Sequence, residues 1–136
     1  MCSKDHTEQA DKQSLSILVV EDNLINLRMI TASLERIGHQ VECAPNGQVA
    51  VEKFTANSYD VILMDIMMPV MDGITACKAI RELEREQNIE EGKQIKIIAI
   101  TANAFEDDRD RLLEIGMDEM MNKPVDFEKL QLLLFQ

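Results

Sequence analysis

An α/β domain, with a parallel sheet covered by helices on both faces, is predicted by three features of the 136-residue chain. Short apolar runs recur along it, each run is followed by a segment of helical period, and the central runs are apolar at every position instead of every second one. A strand wetted on one face alternates; a continuous run is buried on both, as in parallel sheets joined through right-handed helical crossovers. The length suits one domain with a full core and excludes a second of any size.

Residues 1–14, MCSKDHTEQADKQS, lack apolar periodicity and are expected to be a disordered tail or linker, with the domain occupying 15–136. The first strand is 15–20. A helix over 24–37 follows because Asn23 is a good N-cap and Leu27, Ile30, Leu34 and Ile37 fall on one apolar stripe. The second strand is 40–44, and Asn46 caps a helix reaching about Thr55. The third strand, 60–65, is too apolar to be half exposed, and Asp72 can cap a helix over 73–87. The acidic stretch 87–94 is expected to extend that helix into solvent before looping back to the fourth strand, 95–100. A helix over 106–115 is ended by Gly116, and a strand at 119–122 and a helix at 127–135 complete the series.

Fourteen Lys plus Arg against 25 Asp plus Glu give a net charge of -11. That balance argues against a nucleic-acid or anionic-membrane surface and favours cationic partners or a divalent metal. Cys2, Cys43 and Cys77 are odd in number and widely spaced, so neither a disulfide framework nor a structural zinc site is expected. No run of 18 apolar residues could span a bilayer and no export signal opens the chain, which makes the cytoplasm the expected compartment.

Ligands of open α/β sheets bind outside the carboxyl ends of the strands, so the residues directly after each apolar run carry the chemistry. The first strand runs into Glu21 and Asp22, the third ends in Asp65, the fourth runs into Thr101 and the fifth leads to Lys123 and Pro124. The second ends in Ala44 and Pro45 and offers nothing, as an edge strand would. Taken singly, each has an ordinary structural reading: a helix start favoured by the dipole, a turn residue before Pro69, a local cap, a surface lysine. Together they bring three carboxylates, a hydroxyl and an ammonium to one end of one sheet. Carboxylates so close raise one another's pKa unless a cation is present, and Mg²⁺, a hard cation held by one or two carboxylates plus other oxygens, resolves the repulsion. With the metal and Lys123 neutralising charge, an Asp can act as nucleophile toward a phosphoryl group, and the Thr101 hydroxyl can bond a phosphoryl oxygen.

These residues lie in ILVVEDN at 17–23, DVILMDIMMPVMDG at 60–73, IIAITANA at 97–104 and GMDEMMNKP at 116–124. In that order the four motifs resemble the receiver domains of two-component response regulators and hybrid histidine kinases, over roughly residues 15–135. The resemblance implies a flavodoxin-like three-layer sandwich with strand order 2-1-3-4-5 and five helices. It implies Asp65 as phosphoacceptor, Glu21 and Asp22 with the Met67 backbone carbonyl as holders of Mg²⁺, Thr101 as switch hydroxyl, and Lys123 as the phosphoryl contact followed by a cis Pro124. The implied function is Mg²⁺-dependent transfer from a phosphohistidine to Asp65, slow self-hydrolysis and a conformational output. The implied partner is a histidine kinase or a histidine phosphotransfer protein, because His39 is expected at the opposite end of the sheet from Asp65. Relatives place Tyr or Phe three residues before the lysine; this chain departs with Met120. They also tune phosphoryl lifetime at the positions of Met67 and Asn103. Phe105 is read as core packing or a loop anchor, Met64, Met67, Met68 and Met71 as core and loop packing, and Cys43 and Cys77 as buried small side chains.

Other classes remain as alternatives. An aspartyl-phosphate phosphohydrolase of the haloacid-dehalogenase group generally has a second acid two residues past the nucleophile, where this chain has Met67. A phosphorylation-independent binding module usually lacks one of the charged residues kept here, and a flavin or dinucleotide carrier would need a Gly-rich loop after the first strand. VEDN at 20–23, TANA at 101–104 and a short last helix resemble receivers of hybrid sensor kinases, so an excised segment of such a kinase, whose parent can be membrane-anchored elsewhere, is expected ahead of a stand-alone regulator.

Overall fold

In the computed structural model the structure describes residues 14–66, 71–102 and 106–135. The strands are β1 (Ser16–Val20), β2 (Gln40–Ala44), β3 (Val61–Asp65), β4 (Lys96–Thr101) and β5 (Glu119–Asn122). The helices are α1 (Leu24–Arg36), α2 (Gly47–Ala56), α3 (Gly73–Glu86), α4 (Glu106–Ile115) and α5 (Phe127–Leu134), with one 3₁₀ turn at Glu91–Lys93. All four strand pairings are parallel and the order is β2-β1-β3-β4-β5, the flavodoxin-like arrangement.

The helix starts have local causes. Asn23, Asn46, Asp72 and Asp126 all sit in extended backbone with a side-chain oxygen accepting an amide of the first turn, which satisfies donors that the helix itself cannot. α1 buries Ile30 and Leu34 of its predicted stripe; Ile37 becomes the C-cap and is exposed. Gly38 and Gly116 follow α1 and α4 at φ 101° and 126°, a region that an L side chain rarely adopts.

Strand periodicity divides the apolar residues between two cores. Leu18, Val20, Ile62, Met64, Ile97, Ala99 and Met120 face α2, α3 and α4. Ile17, Val19, Val61, Leu63, Ile98, Ile100 and Met121 face α1 and α5. β3 is buried at every position and β2 alternates, in keeping with a central and an edge strand.

The stretch 87–94 departs from expectation. α3 stops at Glu86, Asn88 adopts φ 57°, and the chain turns through the 3₁₀ segment instead of continuing as helix. Buried Glu84 explains the reversal. Its carboxylate accepts the Ile95 amide at 2.7 Å and an Arg81 N–H at 2.7 Å, pulling the start of β4 back onto the flank of α3. The Arg81 guanidinium also donates to the carbonyls of Ile95 and Gly116, both at 2.8 Å, and to Asp118, whose carboxylate in turn accepts the Ile97 amide. At the same end of the sheet, Lys96 Nζ donates to the Leu133 carbonyl and ties α5 to β4. Ser14 already makes a fold contact, its hydroxyl donating to the Gly38 carbonyl; the rest of the expected tail, 1–13, lies outside the described residues.

Candidate functional site

Register fixes the position of the site. Val20 pairs with Ala44 and Met64, Asp65 with Ile100, and Thr101 with Asn122, so the residues after the strands emerge side by side at the carboxyl edge. β1 delivers Glu21 and Asp22. The Glu21 amide still bonds the Ala44 carbonyl, and its side chain, only 2% exposed, accepts the Asn23 amide at 3.1 Å. Asn23 therefore has two roles: its amide orients Glu21 while its side chain caps α1. β3 delivers Asp65, also 2% exposed, and the next amide, Ile66, is held by the Ile100 carbonyl. β4 ends in buried Thr101, whose carbonyl accepts the Lys123 amide and anchors the turn containing the cis Lys123-Pro124 bond.

Glu21, Asp22 and Asp65 each present an oxygen so that all three lie within 4.8 Å of one another. Lys123 Nζ bridges two of them, 3.2 Å from Asp65 and 3.3 Å from Glu21. Burial, and then the neighbouring Asp65 charge, hold the Glu21 carboxyl above its ordinary pKa against the Asn23 hydrogen bond and Lys123. Burial works to lower the Lys123 ammonium, but the hydrogen bond and charge of Asp65, joined by Glu21, outweigh it and leave the pKa raised. Three carboxylates facing one ammonium keep excess negative charge in a mostly buried, all-oxygen donor set. That donor chemistry fits a hard divalent cation such as Mg²⁺.

Glu21, Asp22, Asp65 and Lys123 thus meet as the sequence predicts, with Thr101 at the end of the adjoining strand. The Met67 carbonyl lies outside the described residues, as do Met68, Asn103 and Phe105. Met120 is buried in the core that contains Met64 and Ala99. His39 is at the far end of the sheet, directly before β2. Cys77 is buried, and that burial pushes its thiol up to about 11, as for an unreactive core side chain.

Sequence reasoning missed a groove beside the carboxylates. Of about 220 Å³, it is lined by Asn26, Met29, Lys123, Pro124, Val125 and Phe127, among others. Met29 of α1 stands exposed in its lining, and Leu24 and Ile25, in the first turn of the same helix, are exposed as well. The available signal was three large apolar residues of α1 lying off the stripe of Leu27, Ile30 and Leu34.

The family described as "Response regulator receiver domain" matches residues 17–135, so the chain belongs to it and is a receiver domain of two-component phosphorelay signalling. It is 44% identical over 120 residues to hybrid signal transduction histidine kinase M of Dictyostelium discoideum, covering 87% of this chain and 5% of the kinase. With the signal transduction histidine-protein kinase BarA of Escherichia coli K12 it shares 39% over 125 residues, covering 92% and 13%. It therefore spans a small fraction of either relative. Among solved structures, the receiver domain of sensor histidine kinase PA1611 of Pseudomonas aeruginosa, with a magnesium ion coordinated in its active-site cleft, has TM-score 0.75 at 39% identity. That match covers 89% of this chain and 94% of the other. The receiver domain of Saccharomyces cerevisiae Ssk1, solved with the histidine phosphotransfer protein Ypd1, has TM-score 0.83 at 30% identity, covering 89% and 86%. Among the described residues no helix is long and apolar enough to cross a membrane.

Proposed function

We propose that this receiver takes a phosphoryl group from a phosphohistidine onto Asp65, with Glu21, Asp22 and Asp65 holding Mg²⁺ together with the Met67 carbonyl. The observation that carries the reading is the convergence of three carboxylates with Lys123 bridging Asp65 and Glu21. An Asp65 oxygen attacks phosphorus, the new P–O bond forms as the P–N bond breaks, and the imidazole nitrogen keeps the electron pair. Bound Mg²⁺ would supply positive charge against the phosphoryl oxygens. Lys123, already paired with Asp65, turns its ammonium to a phosphoryl oxygen as the carboxylate charge is used up in the bond. Thr101 donates its hydroxyl to another, which draws the end of β4 toward the site. Intact-mass spectrometry with acetyl phosphate and Mg²⁺ should show one added phosphoryl group on the wild-type chain and none on Asp65→Asn; undiminished labelling of that variant would move the nucleophile elsewhere.

The donor is a histidine kinase or a histidine phosphotransfer protein. It docks on the exposed Leu24, Ile25 and Met29 and the groove beside Lys123, where a helical partner's imidazole can reach Asp65. The likeness to the Ssk1 receiver, solved with Ypd1, supports that choice. In its native setting the domain is part of a hybrid sensor kinase, supported by its similarity, over most of its own length, to a hybrid signal transduction histidine kinase and to a second signal transduction histidine-protein kinase. It works in the cytoplasm, a reducing compartment compatible with the free Cys43 and Cys77. An antibody against the domain should detect a band several-fold larger than 15.5 kDa in source cells; a band near that mass would refute the hybrid context.

A further inference from the structure

Gly73 closes the motif at 60–73, and the phosphotransfer chemistry gives it no role, yet it packs closely against the Asp65 backbone. Its amide donates to the Ile66 carbonyl at 3.0 Å, so the chain that leaves β3 after Asp65 is fastened, at the first residue of α3, to the residue following the carboxylate. A Cβ at position 73 would stand 2.4 Å from the Asp65 carbonyl oxygen, 3.1 Å from its carbonyl carbon and 2.9 Å from Met64 Cγ. Real Cβ atoms essentially never come closer than 3.0 Å, so relief would displace backbone by about 0.6 Å, the difference between 3.0 and 2.4. Neither side of the contact yields easily. Asp65 is in register with Ile100, and Ile66 is bonded to the Ile100 carbonyl. α3 is fixed by its Asp72 cap and by Ala76, Cys77 and Ile80, all fully buried.

We propose that Gly73 is a positioning residue for phosphoryl transfer: its bare Cα, seated on the Asp65 carbonyl, sets how far the Asp65 carboxylate reaches toward Glu21, Asp22 and Lys123. It therefore governs both cation affinity and transfer rate. The proposal rests on Asp65 being the phosphoacceptor. Lys123 lies 3.2 Å from Asp65, so a shift of half an ångström takes the pair from a hydrogen bond to a loose contact. Misplacement on the 1 Å scale can slow a positioned reaction by about a hundredfold.

The test pairs Gly73→Ala with Gly116→Ala, a glycine at φ 126° whose added Cβ would meet Arg81 Cγ at 2.9 Å at the other end of the sheet. Melting temperature, Mg²⁺ affinity by calorimetry and acetyl-phosphate labelling rate are measured for both. Gly73→Ala should fold, bind Mg²⁺ several-fold more weakly and label about tenfold more slowly. Gly116→Ala should melt lower while keeping both site properties within about twofold of wild type. Wild-type affinity and rate in Gly73→Ala, or equal losses in the two variants, would overturn the proposal. Amide exchange in the wild-type chain gives a measurement independent of the variant's folding: Mg²⁺ should slow exchange at Gly73 and leave Gly116 unchanged, and an unresponsive Gly73 counts against the proposal. Asp65→Asn separates the two readings, because labelling that survives there overturns the phosphoacceptor, whereas its loss together with a normal Gly73→Ala overturns Gly73 alone.

Discussion

His39 accepts the Leu15 amide on Nδ1 at 3.0 Å, and its ring, 5% exposed, lies 5.8 Å from that of Phe135. Accepting on Nδ1 places the proton of the neutral ring on Nε2, which has no hydrogen-bond partner among the described residues. Burial holds its pKa below the usual histidine value. Between that depressed value and about 6.5 the unfolded chain binds the proton more readily than the folded one, so this contribution to stability is complete above the unfolded pKa and is lost as pH falls toward the folded one. Glu21, with its raised pKa, works in the opposite direction, so the comparison must be with a variant. His39→Asn keeps an acceptor for Leu15 without a titrating ring. Urea unfolding between pH 7.5 and 5.5 should show wild type losing more stability than the variant, and equal losses would show that His39 does not titrate in that range. The sequence revealed Glu21, Asp22, Asp65, Thr101 and Lys123 because each lies at or within two residues of the end of an apolar run, and the carboxyl end of a parallel sheet is where ligands sit. It hid the roles of His39 and Gly73 because those depend on contacts with Leu15 and Asp65 that the chain makes only once folded.

At the scale of elements, the misread stretch 87–94 and the polar cluster behind it have one cause. Glu84 falls on the buried face of a strongly amphipathic helix, a position where a carboxylate is stable only with partners, and it finds one on its own helix, Arg81, and one outside it, the Ile95 amide just before β4. Arg81→Met leaves the buried Glu84 carboxylate without its counter-ion, and chemical denaturation should show a loss of about 3–5 kcal/mol. Adding Glu84→Leu should recover part of that loss, a non-additivity expected of residues in one network. α1 carries a different prediction, because its exposed apolar residues contribute nothing to the core. Ile25→Asp should slow transfer from a phosphotransfer protein about tenfold or more, as for an interface anchor. Labelling by acetyl phosphate, which needs no docking, should be unchanged; equal slowing of both would place the defect in the site itself.

For the whole molecule, periodicity was enough to show five strands, five helices and burial on both faces, since these are recorded in each segment separately. Strand order came from resemblance, because a fully apolar run reads the same whichever strand lies beside it, and only the alternation of β2 marks an edge. Cation binding acts at this scale too. A ligand held only by the folded chain stabilises it by mass action, about 2.7 kcal/mol at a hundredfold excess over Kd, so Mg²⁺ should raise the melting temperature by several degrees. Asp22→Ala should lose most of that rise, and sodium chloride at equal ionic strength should not reproduce it. The sheet also acts as a partition, because neighbouring side chains on every inner strand go to opposite cores. Ile30→Val on the α1 side and Ile80→Val on the α3 side should each cost about 0.5–1.5 kcal/mol. The double variant should equal their sum to within about 0.5 kcal/mol. Two faces that do not sense each other's packing can accumulate changes independently, so the exposed apolar surface of α1 is free to diverge without disturbing how α2, α3 and α4 pack on the other side of the sheet.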